Sequence, residues 1–248
     1  MLFRSIFKHR DPDDFARVAE KIPPAKNILL MTDGMFAHDG SVAPLAEYQH
    51  RLPRDAWMLV DDAHGAGVLG PRGRGSIEHA GISRRRAIQL VTLSKAFGAA
   101  GGAVPGPRSL MRRIVAQSSA FVGSTPPALP MAAAALASLE LLSRDGTFRE
   151  RLTRNSALLK QGLRESGWPI EATPGPVAPV VPRTRREAMQ LKARLLDRGI
   201  FPTFIHYPGG ANDGYFRLAV SSEHTPELVT ALTEAFDVKA ALSKKGKR

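Results

Sequence analysis

Two short apolar runs in the middle of the sequence end in polar side chains, and glycines follow both. The polar residues are Asp61, Asp62 and His64 after the first run, and Thr92, Ser94 and Lys95 after the second. Apolar runs this short, bounded by Gly-rich turns, are typical of buried parallel strands. Reactive groups of open α/β sheets lie where such strands end, so we expect these side chains to converge at one edge of a sheet.

Lys95 is the most informative of these residues. It follows an apolar strand pattern and precedes the sequence AFGAAGG, which predicts that its amine emerges in a confined, partly desolvated place. Desolvation disfavours the ammonium form, and a neutral amine can attack an aldehyde to form an imine. Asp61 supplies an anion that can keep a pyridinium nitrogen protonated, and His64 can reach the same ring. Thr92 and Ser94 offer hydroxyls to a phosphate. The combination favours pyridoxal phosphate as a cofactor.

Each of these residues also has an ordinary structural interpretation. A single Asp or His at a strand end is usually a turn or capping residue, and a single Lys is usually a solvated charge. A metal site built from Asp61, Asp62 and His64 is a further possibility. The sequence has no Cys, no HxxxH pair and no obvious remaining ligands, so we favour the organic cofactor and predict no metal site.

Four segments of the chain resemble the α-oxoamine synthases. They are TDGMFAHDGSVAPLAEYQ at 32–49, VDDAHGAGVLGPRGRG at 60–75, TLSKAFG at 92–98 and SSEHTPE at 221–227. This pyridoxal-phosphate-dependent family comprises 8-amino-7-oxononanoate synthase, 2-amino-3-ketobutyrate CoA ligase, serine palmitoyltransferase and 5-aminolevulinate synthase. The segments occur in the family's order and at nearly its spacing. The resemblance implies an α/β, fold-type I transferase, with a mostly parallel sheet in a large domain and a small C-terminal α+β domain.

The resemblance also assigns roles to individual residues. It implies Lys95 as the Schiff-base lysine, Asp61 as partner of the pyridine nitrogen and His64 as hydrogen-bonded to the cofactor's phenolic oxygen. Thr92 lies near the phosphate in such a site. The loop FVGSTPPALP at 121–130 resembles the segment that lines the active site at the dimer contact, which makes Ser124 and Thr125 candidates for substrate binding.

Arg217 is a further candidate for substrate binding. It lies inside the strand pattern YFRLAV, where a charge is costly unless it is paired. A guanidinium suits bidentate capture of a carboxylate. The resemblance matches Arg217 to the arginine that binds the amino-acid substrate's carboxylate, and a structural ion pair is the alternative.

Two departures from the family pattern affect these expectations. Ala37 stands where the family often has a serine near the cofactor ring, which removes one hydrogen bond of about 1 kcal/mol. Family members also carry a long N-terminal portion with the histidine that stacks on the ring and a turn that holds the phosphate. The chain is therefore interpreted as a truncated member, a fragment or a product of a late start codon, with weak cofactor binding expected.

The activity implied by the resemblance is the condensation of an amino acid with an acyl-CoA by a homodimer. An aminotransferase is the enzymatic alternative, because the same lysine and aspartate serve both reactions. An inactive remnant or a dimerising subunit is the alternative without catalysis.

The composition indicates a globular protein. The chain has 248 residues, of which 43% are hydrophobic, and no apolar run approaches membrane-spanning length. Because Cys is absent, nothing indicates an oxidising compartment, and the cytoplasm is the default. The formal net charge is +12, but the basic residues are scattered apart from Arg84–Arg86 and 244–248, and neither cluster is interleaved with aromatics. This pattern favours anionic substrates such as a CoA thioester over nucleic acid.

The predicted organisation is a C-terminal part of the cofactor-binding large domain at 1–143, a small domain at 144–240 and a disordered basic tail at 241–248. The first domain is predicted to begin with a strand at 2–7 and a helix at 11–21. A long helix at 126–142 is predicted to pack between the domains. Residues 174–182 contain four prolines and can supply only an edge strand or a linker.

Overall fold

The computed structural model describes residues 4–23, 27–208, 210–211 and 213–237. The chain divides into two compact units. The first spans Met1–Met35 and Val42–Asp145, and the second spans Phe36–Ser41 and Gly146–Arg248. The second unit thus takes residues 36–41, a segment that the sequence prediction had placed in the first domain. The predicted disordered tail lies outside the described residues.

The first unit is built on a mostly parallel sheet. Its strands are β1 (Leu29–Asp33), β2 (Trp57–Asp61), β3 (Ala87–Thr92) and β4 (Gly102–Ala103), hydrogen-bonded in that order. The first three are mutually parallel, and β4 runs antiparallel to β3. In the register, Asp33 is the partner of Asp61, which in turn pairs with Leu90. The predicted α/β class is therefore confirmed, and the carboxyl ends of the parallel strands share one edge.

Among the described residues of this unit, five α-helices and a 3-10 turn at Arg84–Arg86 accompany the sheet. The α-helices are α1 (Pro12–Glu20), α2 (Leu45–Arg51), α3 (Ser76–His79), α4 (Arg108–Gln117) and α5 (Leu129–Arg144). The start of α1 follows the predicted capping chemistry, since the Asp11 side chain accepts hydrogen bonds from the amides of Asp13 and Asp14. On the sheet itself, Leu30, Met58 and Val60 are buried. Their neighbours Leu29, Met31 and Trp57 point the other way and are exposed.

One prediction for this unit is wrong. Residues 4–7 form no strand; Phe7 instead packs edge-on against Phe15 and Tyr48, with ring centroids 5.5 and 5.7 Å apart, while Ile6 is 76% exposed. Aromatic packing anchors this segment without any strand partner. The helix predicted at 126–142 is found as α5, in which Ala135 is the one buried residue.

The second unit is an antiparallel sheet packed with helices. Its strands are β5 (Val177–Val180), β6 (Phe204–Ile205) and β7 (Tyr215–Ala219), in the order β5-β7-β6. The helices are α6 (Thr147–Glu165), α7 (Arg185–Asp197) and α8 (Pro226–Ala235). The Pro-containing β5 lies at the sheet edge as predicted, because proline cannot donate to a ladder on both sides.

The core of the second unit lies on one face of β7. Phe216 and Leu218 point into a cluster with Leu159 and Leu163 of α6 and Leu195 of α7. Alternation along the strand sends Tyr215 and Arg217 to the opposite face. Across the described ranges, no helix combines the length and apolarity that crossing a membrane requires.

Candidate active site

The side chains of Lys95 and His64 meet at the carboxyl edge of the first unit's sheet. Lys95 Nζ lies 2.9 Å from His64 Nε2, although 31 positions separate the two residues in sequence. His64 lies on the turn after β2, where the Asp62 carbonyl accepts hydrogen bonds from the amides of Gly65 and Ala66. The loop that carries Lys95 is closed by a bond from Leu93 N to Gly101 O of 2.9 Å. Two loops with independent backbone support thus bring an amine and an imidazole together.

Gly67 allows these two loops to touch. Its φ is +82°, in the left-handed region that favours glycine, and a Cβ at this position would lie 2.5 Å from Ala96 Cβ. Because Ala96 follows Lys95 directly, a larger residue at position 67 would push the lysine loop away from the histidine turn.

The other predicted cofactor residues lie at the same edge. Asp61 ends β2, its side chain is exposed, and its Oδ1 accepts a hydrogen bond of 3.1 Å from the amide of Ala63. Thr92 ends β3, and its hydroxyl oxygen lies 2.9 Å from that of Ser94. The sheet therefore presents a carboxylate and a pair of hydroxyls beside the lysine–histidine pair.

The expected desolvation of Lys95 is not found in this structure. Lys95, Ser94 and Ala96 are all exposed. The position of Lys95 is as predicted, but the protection from solvent is not.

Asp62 has a different role from its neighbour Asp61. Its side chain is fully buried, and its Oδ2 accepts hydrogen bonds from Ser76 N at 2.9 Å and from Gln89 Nε2 at 2.5 Å. Gln89 lies in β3 and Ser76 begins α3, so one carboxylate links β2 to both. Burial raises the pKa of Asp62, and the hydrogen bonds oppose that rise. The buried carboxylate of Asp62 is thus engaged by Ser76 and Gln89, which gives the residue a structural role.

No group of three or more metal-ligating side chains comes together within the described ranges. Sequence reasoning did not identify Gln89 or Ser76 as partners of Asp62. A signal for Gln89 was available, because it is the one polar residue within the apolar run 87–91 and is almost fully buried. A buried amide requires a hydrogen-bond partner, which would have directed attention to the neighbouring strand.

The three predicted substrate-binding residues lie outside this cluster of contacts. Ser124 and Thr125 are exposed in the loop before α5, and Ser124 Oγ donates to the carbonyl of Ala120. Arg217 belongs to the second unit, where its Nε donates a hydrogen bond of 2.6 Å to the carbonyl of Ala37. Among the described residues no carboxylate forms an ion pair with Arg217, so the structural ion pair that was the alternative is not formed there.

The sequence between residues 7 and 236 matches the model of a protein family described as aminotransferase class I and II. This match covers most of the chain. The chain belongs to that family. Curated relatives of this family member include the 8-amino-7-oxononanoate synthases of Symbiobacterium thermophilum and Nitrosococcus oceani, each 36% identical to it. The alignments cover 93% and 92% of this chain but 59% and 61% of the relatives, so the chain spans about three fifths of their length.

Solved structures of the family share the fold. The serine palmitoyltransferase of Sphingomonas wittichii superimposes with a TM-score of 0.87 at 26% identity, over 96% of this chain and 61% of that protein. The 8-amino-7-oxononanoate synthase of Francisella tularensis gives 0.80 at 23% identity, over 96% and 69%. The predicted fold-type I architecture is thereby confirmed.

The adjacent residues Asp61 and Asp62 provide a matched test of the two roles assigned here. Asp62→Ala leaves the buried Ser76 amide without its acceptor and removes one of the two acceptors of Gln89 Nε2, the other being the carbonyl of Arg74. We therefore expect it to lower the free energy of unfolding by about 2–4 kcal/mol. Asp61→Ala alters an exposed side chain, and we expect a change of about 1 kcal/mol or less. Urea unfolding of both variants measures the difference. Equal destabilisation by the two substitutions would contradict the assignment.

Proposed function

We propose that the protein is a pyridoxal-phosphate-dependent acyltransferase that condenses an amino acid with an acyl-CoA. The observation that carries the proposal is the 2.9 Å contact between Lys95 Nζ and His64 Nε2, at the edge that also presents Asp61 and Thr92. The names of the curated relatives support the synthase reaction over other reactions of the family.

The donor set fits pyridoxal phosphate by its chemistry. The amine of Lys95 would bond to the cofactor's aldehyde. The carboxylate of Asp61, at the end of β2, would keep the cofactor's pyridine nitrogen protonated. His64 offers a ring nitrogen to a phenolic oxygen, while Thr92 and Ser94 offer two hydroxyls to a phosphate, 2.9 Å apart. When bound, the cofactor supplies an electron-withdrawing ring that stabilises negative charge at the amino acid's α-carbon.

The chain's own residues would then bind the substrate and move its proton. Arg217 would hold the amino acid's carboxylate, because the carboxylate-binding geometry of a guanidinium is bidentate. Lys95 Nζ would take and return the proton at the α-carbon, and His64 would hold the amine in place during that transfer. Ser124 and Thr125 would contact the substrates from the loop before α5.

The charge of the protein favours an anionic acyl donor. Lys and Arg outnumber Asp and Glu by 35 to 23, which gives a formal net charge of +12. A positive field raises the local concentration and the association rate of an anion such as a CoA thioester. An acyl-CoA therefore fits the surface better than a neutral or cationic second substrate.

We further propose that the protein is a cytoplasmic homodimer. The support for a dimer is α5, where Leu129, Leu136 and Leu139 are 83%, 61% and 50% exposed. Exposed apolar side chains repeated along one helix mark a surface that a partner covers. Light scattering is expected to give twice the 26.8 kDa mass of one chain, and a monodisperse species of that single mass would contradict the dimer.

The reaction can be tested by a thiol assay that suits this chain. Condensation of an amino acid with an acyl-CoA releases free CoA, and the protein contributes no background because it has no Cys. We expect thiol release when an amino acid and an acyl-CoA are supplied together, and none from the Lys95→Ala variant. An aminotransferase, which the family description also covers, would instead convert an amino acid and a 2-oxo acid without releasing thiol. Transamination without thiol release would overturn the proposal.

A further inference from the structure

Segment 36–41 is held in the second unit by three hydrogen bonds to its backbone. Arg217 Nε donates to Ala37 O at 2.6 Å, Thr173 Oγ1 donates to Asp39 O at 3.0 Å, and Gly175 N donates to Gly40 O at 2.9 Å. Three backbone carbonyls of the segment are thus held, one by the Arg217 side chain and two by the turn at 173–175. One of the donors is the arginine to which we assign substrate binding.

Lys160 contacts Thr173 and Gly175, the two residues that donate the hydrogen bonds to Asp39 and Gly40. This α6 residue is only 4% exposed, and its Nζ donates to Thr173 O at 2.6 Å, to Thr173 Oγ1 at 3.0 Å and to Gly175 O at 2.5 Å. The Thr173 hydroxyl accepts from Lys160 while it donates to Asp39 O, so it connects the amine directly to segment 36–41. All three hydrogens of an ammonium can be satisfied in this arrangement.

Burying the charged amine of Lys160 costs folding free energy because the amine loses its contact with water. Burial, together with the charge of Arg164 on the same helix, lowers the pKa of Lys160 to about 8. Within the described residues it forms no ion pair, and its desolvation is offset by the three neutral oxygens it donates to and by the more distant charge of Asp39. An apolar side chain would fill the same space at a lower cost, which indicates that the three bonds serve a purpose beyond packing.

The orientation of the Arg217 side chain depends on the Ala37 carbonyl, which belongs to the same held segment. Its Nε is engaged by Ala37 O, and among the described residues its two Nη groups have no hydrogen-bond partner. A guanidinium is planar, so fixing Nε on a carbonyl also fixes the direction of the Nη pair. The direction of the pair then depends on where Ala37 O is held.

We propose that Lys160 is a positioning residue for Arg217: it fixes the Thr173–Gly175 turn, the turn fixes segment 36–41, and the Ala37 carbonyl aims the guanidinium at the carboxylate of the amino acid. This inference rests on the proposed function for the identity of the substrate, and on the hydrogen bonds within the second unit for the positioning of Arg217. It assigns a role to a lysine that makes no contact with the substrate.

Lys160→Met removes the amine and keeps most of the aliphatic stem. We expect the KM for the amino acid to rise about tenfold, with kcat and the KM for acyl-CoA changed less than twofold, since a factor of ten corresponds to the loss of about one hydrogen bond. Lys192→Met is the matched control, because Lys192 lies over the Phe204 ring at 4.1 Å and not on this network. It should leave all three constants unchanged.

Thr173→Val tests the same path without removing a buried charge. It deletes the hydroxyl that links Lys160 to Asp39 and is expected to raise the amino-acid KM about threefold. In an Arg217→Ala background, neither Lys160→Met nor Thr173→Val should raise that KM further, because their effect acts through Arg217. A loss of kcat and of both KM values alike, or full additivity with Arg217→Ala, would overturn the positioning role.

Hydrogen exchange of the peptide that contains residues 36–41 separates this inference from the proposed function. We expect faster exchange in Lys160→Met and in Thr173→Val than in the wild type, and no change in Lys192→Met. Unchanged exchange in the first two variants would overturn the inference even in an active enzyme. A wild-type chain that exchanges as expected but releases no thiol would overturn the proposed function and the substrate role of Arg217 together, while the hold of Lys160 on segment 36–41 would stand.

Discussion

The candidate active site depends on one buried carboxylate, that of Asp62. It accepts hydrogen bonds from Ser76 N and Gln89 Nε2, and the backbone approaches it so closely that a Cβ on Gly34, Gly65 or Gly75 would collide with its oxygens. Three glycines around one carboxylate leave no space for an alternative packing. This carboxylate therefore ties the turn that carries His64 to β3 and to the start of α3, while Gly34 at the end of β1 packs against it.

The sequence correctly predicted the features that depend on neighbouring residues along the chain. Short apolar runs, each ending in polar residues and glycines, specify parallel strands, and parallel strands bring their carboxyl ends to one edge. That geometry places Lys95 beside His64 without any knowledge of side-chain contacts. The predicted strand at 2–7 is wrong for the complementary reason. Its apolar residues satisfy a strand pattern, but a strand also needs a partner, and Phe7 finds aromatic rings instead.

Contacts between distant parts of the chain could not be predicted in this way. Asp61 and Asp62 are adjacent and chemically identical, so only the fold shows that one faces solvent and the other is buried. Lys160 is an ordinary helix lysine in the sequence, and its acceptors lie 13 and 15 residues away in a turn whose shape no pattern specifies. The exposure of Lys95 was missed because an apolar run before a residue indicates a strand and does not show which side chains cover the strand's end.

The central claim is that Lys95 is the residue that carries the cofactor. The most direct measurement is incubation of the chain with pyridoxal phosphate, reduction with sodium borohydride and peptide mapping of the stable label. The account predicts saturable labelling of Lys95, the loss of that labelling in Lys95→Ala, and no saturable label on Lys160 or Lys192. Saturable labelling of another lysine while Lys95 stays unmodified would contradict it.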